Sequence, residues 1–250
     1  MSKDIGLILH DWDANPDEVT VRRINGIDGS PKIQMRLDLG VLQMETEGRP
    51  DGKRPNGYES LLEYYEDRLA RYNMLNGDND GFELDSEACS ALKQESMQYY
   101  YRYLSLFHLG EYSDVIRDTQ RNLRMFDFVR RWAVTEDDRM ACDQFRPYVL
   151  MMNTRAIACL QLEAQNYDAA LQEIGSGIER IEDFFLDMGR SDMIESCREL
   201  VFLHDWSDRV RDNRPLTPAE RLRRELSSAV ECEDYERAAQ LRDQIKELAI

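Results

Sequence analysis

Apolar and polar positions change period once along this chain, and the change divides it. In the N-terminal part, Val19, Val21 and Ile24 form a short apolar run that ends at Asn25-Gly26 and Asp28-Gly29, residues suited to turns with positive φ. Ile33, Met35, Leu37 and Leu39 then alternate with Gln34, Arg36 and Asp38. That period of two predicts a strand burying one face; past Gly40 the phase slips to Leu42 and Met44, as a bulge in a bent hairpin would cause. Gly48-Arg49-Pro50-Asp51-Gly52-Lys53-Arg54-Pro55 interrupts any ladder, because proline lacks a donor and glycine favours loops.

From Tyr58 the spacing becomes helical. Leu61, Leu62, Tyr65, Leu69 and Tyr72 share one face up to Asn76-Gly77. Asp85 or Ser86 caps a longer helix with Leu92, Tyr99, Tyr103 and Leu106 as its stripe, ending at Gly110. Tyr112 opens another, running through Val115, Ile116, Leu123 and Phe126 to a polar break at Thr135 to Arg139. Met140 to Leu162 and Asp168 to Met188 read as an antiparallel pair, and a last long helix runs from Ser191 to about Asp212. Asn213-Arg214-Pro215-Leu216 reads as a linker into the tail.

Composition narrows the function. The 250 residues include 32 Lys+Arg against 49 Asp+Glu, a net charge of −17, which argues against a general nucleic-acid binder that must neutralise phosphates. The mean hydropathy of −0.63 and the absence of a long apolar run predict no membrane span. Cys89, Cys142, Cys159, Cys197 and Cys232 are scattered, odd in number and never spaced as C-x-x-C, so reduced thiols are expected rather than a disulfide framework or a zinc ribbon. The apolar run Ile5 to Leu9 is too short for a signal-peptide core, and the expected compartment is the cytoplasm.

No motif for catalysis stands out. His10, His108 and His204 are isolated, no cysteine has a base nearby in sequence, and no glycine loop precedes a helix in phosphate-binding spacing. The expectation is a protein that is not an enzyme and holds no cofactor or metal. Arg49, Lys53 and Arg54 could grip an anion through the Gly48 to Pro55 loop, and an enzyme or small-ligand-binding domain centred on residues 48–55 is the alternative reading. Asn76 to Glu87 follows the oxygen order of an EF-hand calcium loop. It departs at position 1, where asparagine stands, and at Glu83, where an apolar residue belongs, so a solvated acidic connector is the preferred reading.

Three further stretches resemble known families. His108-Leu109-Gly110-Glu111-Tyr112-Ser113-Asp114-Val115-Ile116 and Ala164-Gln165-Asn166-Tyr167-Asp168-Ala169-Ala170-Leu171 resemble the turn of a tetratricopeptide repeat, with Ala158, Ala170 and Gly177 where helices approach closely. Tyr103, Val115 and Asn122 replace the small residues of the first copy, and the turns lie further apart than the usual ~34 residues. Leu222 to Leu248, with Asp234-Tyr235-Glu236-Arg237-Ala238-Ala239 and Arg242-Asp243-Gln244-Ile245 at its centre, resembles the UVR motif. That motif is shared by the UvrB and UvrC excision-repair subunits, some Clp-type unfoldases and a regulator of protein-arginine phosphorylation. As a whole the chain resembles bacterial UVR-motif proteins with a tetratricopeptide-like helical body. The resemblance implies protein contacts through the tail, beside excision repair or beside proteolysis and stress systems.

The tail's own chemistry agrees. Thr217-Pro218-Ala219-Glu220 is a capping box with proline at the first helical position, and Leu222, Leu226, Ala229 and Val230 make one stripe. Ala238, Leu241, Ile245 and Leu248 make a second stripe, with Arg242 and Asp243 beside it. Two such short helices bury little between themselves and need a third surface: another protein, a second copy, or this chain's own body. Leu222, Leu226, Tyr235, Ala238, Leu241, Arg242, Asp243, Ile245 and Leu248 are therefore the candidate partner-binding residues. The expected fold is α+β and predominantly α. An N-terminal β-hairpin region (1–57) precedes a tetratricopeptide-like body (58–212) and a UVR-like hairpin (217–250), the whole acting as an adaptor or scaffold.

Overall fold

A computed structural model of the chain describes residues 4–14, 18–215 and 218–248. Thr217 of the expected capping box and the side chain of Leu248 lie outside the described residues. The protein is predominantly α, with a small antiparallel sheet near its N-terminus and a helical hairpin at its C-terminus. It divides into two compact units, Met1–Ser207 and Asp208–Ile250.

After a single helical turn, α1 (Gly6–Leu9), three strands form a meander: β1 (Val21–Asn25), β2 (Pro31–Leu37) and β3 (Gly40–Glu45), in that spatial order. The bulge expected at Gly40 is instead a chain reversal. Leu37 pairs with Gly40 across a turn at Asp38 and Leu39, so Met35 lies opposite Leu42 and Ile33 opposite Met44. A reversal in this register places odd positions of β2 opposite even positions of β3, which accounts for the phase slip. The period-two pattern also overruns the strand, for Leu39 is 94% exposed at the turn. β2 is central, and its two buried polar residues have partners: Gln34 bonds to Gln43 and Arg22, and the Lys32 ammonium to Glu45 at 2.5 Å.

Six long helices and one short one complete the first unit: α2 (Leu61–Asn76), α3 (Ser86–His108), α4 (Tyr112–Trp132), α5 (Glu136–Asp143), α6 (Arg146–Glu163), α7 (Tyr167–Asp187) and α8 (Arg198–Asn213), the last of which runs on past Ser207. Their starts follow side-chain caps where the sequence provides them. Asp85 accepts the Ala88 N–H at 2.8 Å, Thr135 that of Asp138 at 3.1 Å and Asn166 that of Ala169 at 3.4 Å. Leu92, Tyr103 and Leu106 of α3, Val115, Met125 and Val129 of α4, Met152 and Ala156 of α6, and Ile174 and Ile181 of α7 are fully buried.

Three helix boundaries differ from expectation. The break after α4 falls at Ala133 to Thr135 rather than Thr135 to Arg139, because Thr135 caps α5 and the acidic residues that follow suit the first turn of a helix. The run from Met140 to Leu162 is two helices, separated at Gln144 and Phe145, since Pro147 in the first turn of α6 cannot continue the ladder of α5. The last helix of the body starts at Arg198 rather than Ser191. Gly189 at φ 65° ends α7, and Ser191 to Met193 make only a tight turn.

The acidic connector between α2 and α3 is anchored by packing. Phe82 is buried against the rings of Trp132 and Tyr72, at 5.5 and 5.9 Å, and Leu84 bonds through its backbone to Trp132 and Val134. Among the described residues no group of three or more His, Cys, Asp or Glu is placed to hold a metal ion, and no helix is long and apolar enough to cross a membrane.

The second unit contains α9 (Pro218–Glu231) and α10 (Tyr235–Leu248). Glu233 takes φ 57° at the turn, and Asp234 caps α10 by accepting the Arg237 N–H at 3.1 Å.

Candidate functional site

The α9–α10 hairpin closes on a very small core. Ala229, Ala238 and Leu241 are buried, with Leu222 and Leu226 packed partly against them. Two of the three buried residues are alanines, which hide little apolar surface, so the pair is weakly held by its own contacts. Ile245 is half-buried, while Val230 and Tyr235 flank the turn at 50% and 68% exposure. Arg242 and Asp243 are exposed and bond to each other at 3.1 Å. The expected stripe is thus divided: its centre is used inside the hairpin, and its turn end faces solvent. The three polar residues at the turn, Glu231, Glu233 and Asp234, are acidic and exposed, which gives the exposed Tyr235 a negative surround.

Arg49, Lys53 and Arg54 occupy a different place, beside a cleft of about 630 Å³ whose walls also carry Asp28, Glu45, Glu47 and Glu59. Lys53 and Arg54 are exposed, but Arg49 turns inward, with its Nε 3.2 Å from Asp51 and 3.4 Å from Glu95. Acidic neighbours therefore face Arg49, and carboxylates share the lining of the cleft that Lys53 and Arg54 border.

The loop is held by a buried ion network that motif reading missed. Arg102 on α3 donates Nε and Nη2 to Asp118 on α4 at 2.7 and 2.8 Å, and its Nη1 donates to the Gly48 and Glu45 carbonyls at 2.7 and 3.2 Å. Glu95 accepts the Leu61 N–H at 2.9 Å and pairs with Arg121. Tyr99 lies between the two arginines, its ring 4.9 Å from the Arg102 guanidinium carbon and 4.1 Å from that of Arg121; burial raises its phenol pKa. Arg117 adds bonds to Asp118, Asp114 and the Thr46 carbonyl. Several of these side chains border a second cleft, of about 660 Å³, which also reaches Gly48. The network orders the segment between β3 and α2, and its arginines are occupied by carboxylates of the same chain. A sequence signal for it exists: Glu95 and Arg102 interrupt the apolar stripe of α3 on the same face as Leu92, Tyr99 and Leu106, where an unpaired charge would be costly.

Comparison with known proteins identifies the hairpin and nothing else. Residues 218–249 match the UvrB/uvrC motif, UVR. The match spans both helices of the second unit and the turn between them. No curated protein and no solved structure matches the chain.

Proposed function

We propose that the protein is a protein–protein interaction adaptor whose UVR hairpin engages a partner while the helical body presents a second surface. The observation that carries this reading is the coincidence of the motif, at residues 218–249, with a hairpin that buries three residues among those described and leaves Val230 and Tyr235 exposed at its turn. Such a hairpin gains most from a third surface, and the added contacts are made by packing, without chemistry. Excision repair is one setting the motif supports; proteolysis and stress systems are the others. In this reading the body is a tetratricopeptide-like array, supported by the similar turns before Tyr112 and Tyr167 and by the close approach of α6 and α7 at Gly177. The cytoplasm is its compartment, which five unpaired cysteines suit.

The test is affinity capture from cytoplasm with the full chain and with a chain ending at Pro215, read by quantitative mass spectrometry. Hairpin partners must be at least tenfold depleted on the shorter bait. Identical partner sets on the two baits refute the assignment.

A further inference from the structure

Arg155, in the middle of α6, differs from the other arginines buried in the helical body. Arg102, Arg121 and Arg146 each have a carboxylate oxygen within 4 Å. Half-buried Arg180 stands in the field of Glu173 and Asp127. Arg155, also half-buried, has no ion-pair partner among the described residues; its one protein acceptor is the sulfur of Met152 at 3.5 Å, a weak one. The polar groups that bear on its charge are Cys159, Tyr148 and Tyr112, and burial lowers its pKa.

Two rings hold the guanidinium in place. Its carbon lies 4.3 Å from the centre of Phe107 on α3 and 4.7 Å from that of Phe202 on α8. Phe202 in turn stacks at 6.3 Å on Trp206, and Phe107 meets Tyr112 edge-on at 5.4 Å. All four of these rings are partly exposed. A planar cation with open N–H donors between apolar walls matches a carboxylate flanked by apolar groups. In a chain with 49 carboxylates and 32 basic side chains, a clamped arginine without an acid is a position whose counter-ion comes from outside. A phosphate would call for more than one cation. The adjacent His108 is a poor second cation, because burial and Arg155 lower its pKa against the opposing pull of Glu18.

We propose that Phe107, Arg155 and Phe202 form a docking site for a peptide segment of a partner protein that carries a carboxylate between apolar residues. This rests on the adaptor reading of the helical body and is independent of the hairpin.

Three peptides test it on the full chain, followed by tryptophan emission, to which Trp206 contributes beside Trp12 and Trp132, and by amide chemical shifts. They are acetyl-Ala-Leu-Glu-Leu-Ala-amide, its Gln counterpart, and the Gln peptide with a free C-terminus. The expected result is saturable binding of the Glu peptide at least tenfold tighter than that of the amidated Gln peptide, lost by a similar factor in Arg155→Met and unchanged in Leu241→Asp, which alters only the hairpin. Tighter binding by the Glu peptide supports the proposal, whereas preferred binding of the free-acid peptide, whose carboxylate is terminal and not flanked on both sides, overturns it. Equal binding of charged and uncharged peptides, no binding at millimolar concentration, or unaltered binding by Arg155→Met overturns it. Should Arg155→Met fail to fold, the charged-to-uncharged ratio in the unaltered chain decides. Loss of hairpin partners with peptide binding intact separates failure here from failure of the hairpin reading.

Discussion

Arg102 and Asp118 form a bidentate ion pair at 2.7 and 2.8 Å with both side chains only 1% exposed, joining α3 to α4 beneath the segment that leaves the sheet. Removing one partner strands the other charge in the core. Asp118→Asn is expected to destabilise the body by about 3–5 kcal/mol in urea unfolding, whereas replacing both residues by apolar groups of similar volume costs far less. A single substitution costing under about 1 kcal/mol would contradict the geometry.

Gly175 and Gly177 lie two residues apart in α7 and should respond oppositely to alanine. A Cβ at Gly177 would sit 2.2 Å from Thr154 Oγ1 and 2.7 Å from its Cβ, with Thr154 itself 2% exposed, whereas nothing lies within 4 Å of a Cβ at Gly175. Gly177→Ala is therefore expected to destabilise by about 1–3 kcal/mol through overpacking. Gly175→Ala should stabilise by about 0.5–1 kcal/mol through helix propensity. Thermal unfolding of the two variants provides the comparison.

Burial pushes the thiols of Cys89 and Cys142 up to about 11 from an ordinary 9.0. The folded protein thus holds these protons more tightly than the unfolded chain. The contribution is fully present below pH 9 and falls away between about pH 9 and 11 as the unfolded thiols ionise first. Urea midpoints should decline over that window, and less steeply in Cys142→Ala. Iodoacetamide at pH 8 should modify the exposed Cys232 well before either.

Among the described residues, Leu241 is the one large side chain buried in the hairpin. Leu241→Asp places a charge among two alanines and two partly buried leucines, a cost of several kcal/mol that a core of this size cannot offset. Hydrogen exchange should lose protection throughout α9 and α10, while the amides of α3 and α4 keep theirs. Uniform protection across both units would contradict the division of the chain.

Much of the helical architecture was legible before any coordinates. Asp85, Gly110 and Asn166 mark helix ends by local chemistry, and the stripe of Leu92, Tyr99, Tyr103 and Leu106 is buried as its spacing implies. The hairpin was equally legible, because its turn, cap and seam lie within 32 residues matched by one motif. The third strand was not. Leu42 and Met44 signal a strand by themselves, but whether Gly40 continues or reverses the chain depends on partners in β2. Pro147 could have located the start of α6; the apolar run around it concealed the break.

The ionic and aromatic sites lay beyond local reading for a related reason. Arg102 pairs across 16 positions, Glu95 with Arg121 across 26, and the rings that clamp Arg155 come from helices on either side of it in the chain. What the amino-acid order determines by itself here is local: period, caps, breakers and a self-contained motif, all set by interactions within a few residues. Which charges are neutralised, which arginine is left without an acid, and how much of the hairpin's stripe stays open were decided only when distant segments packed, because electrostatics and burial depend on distance in space rather than along the chain.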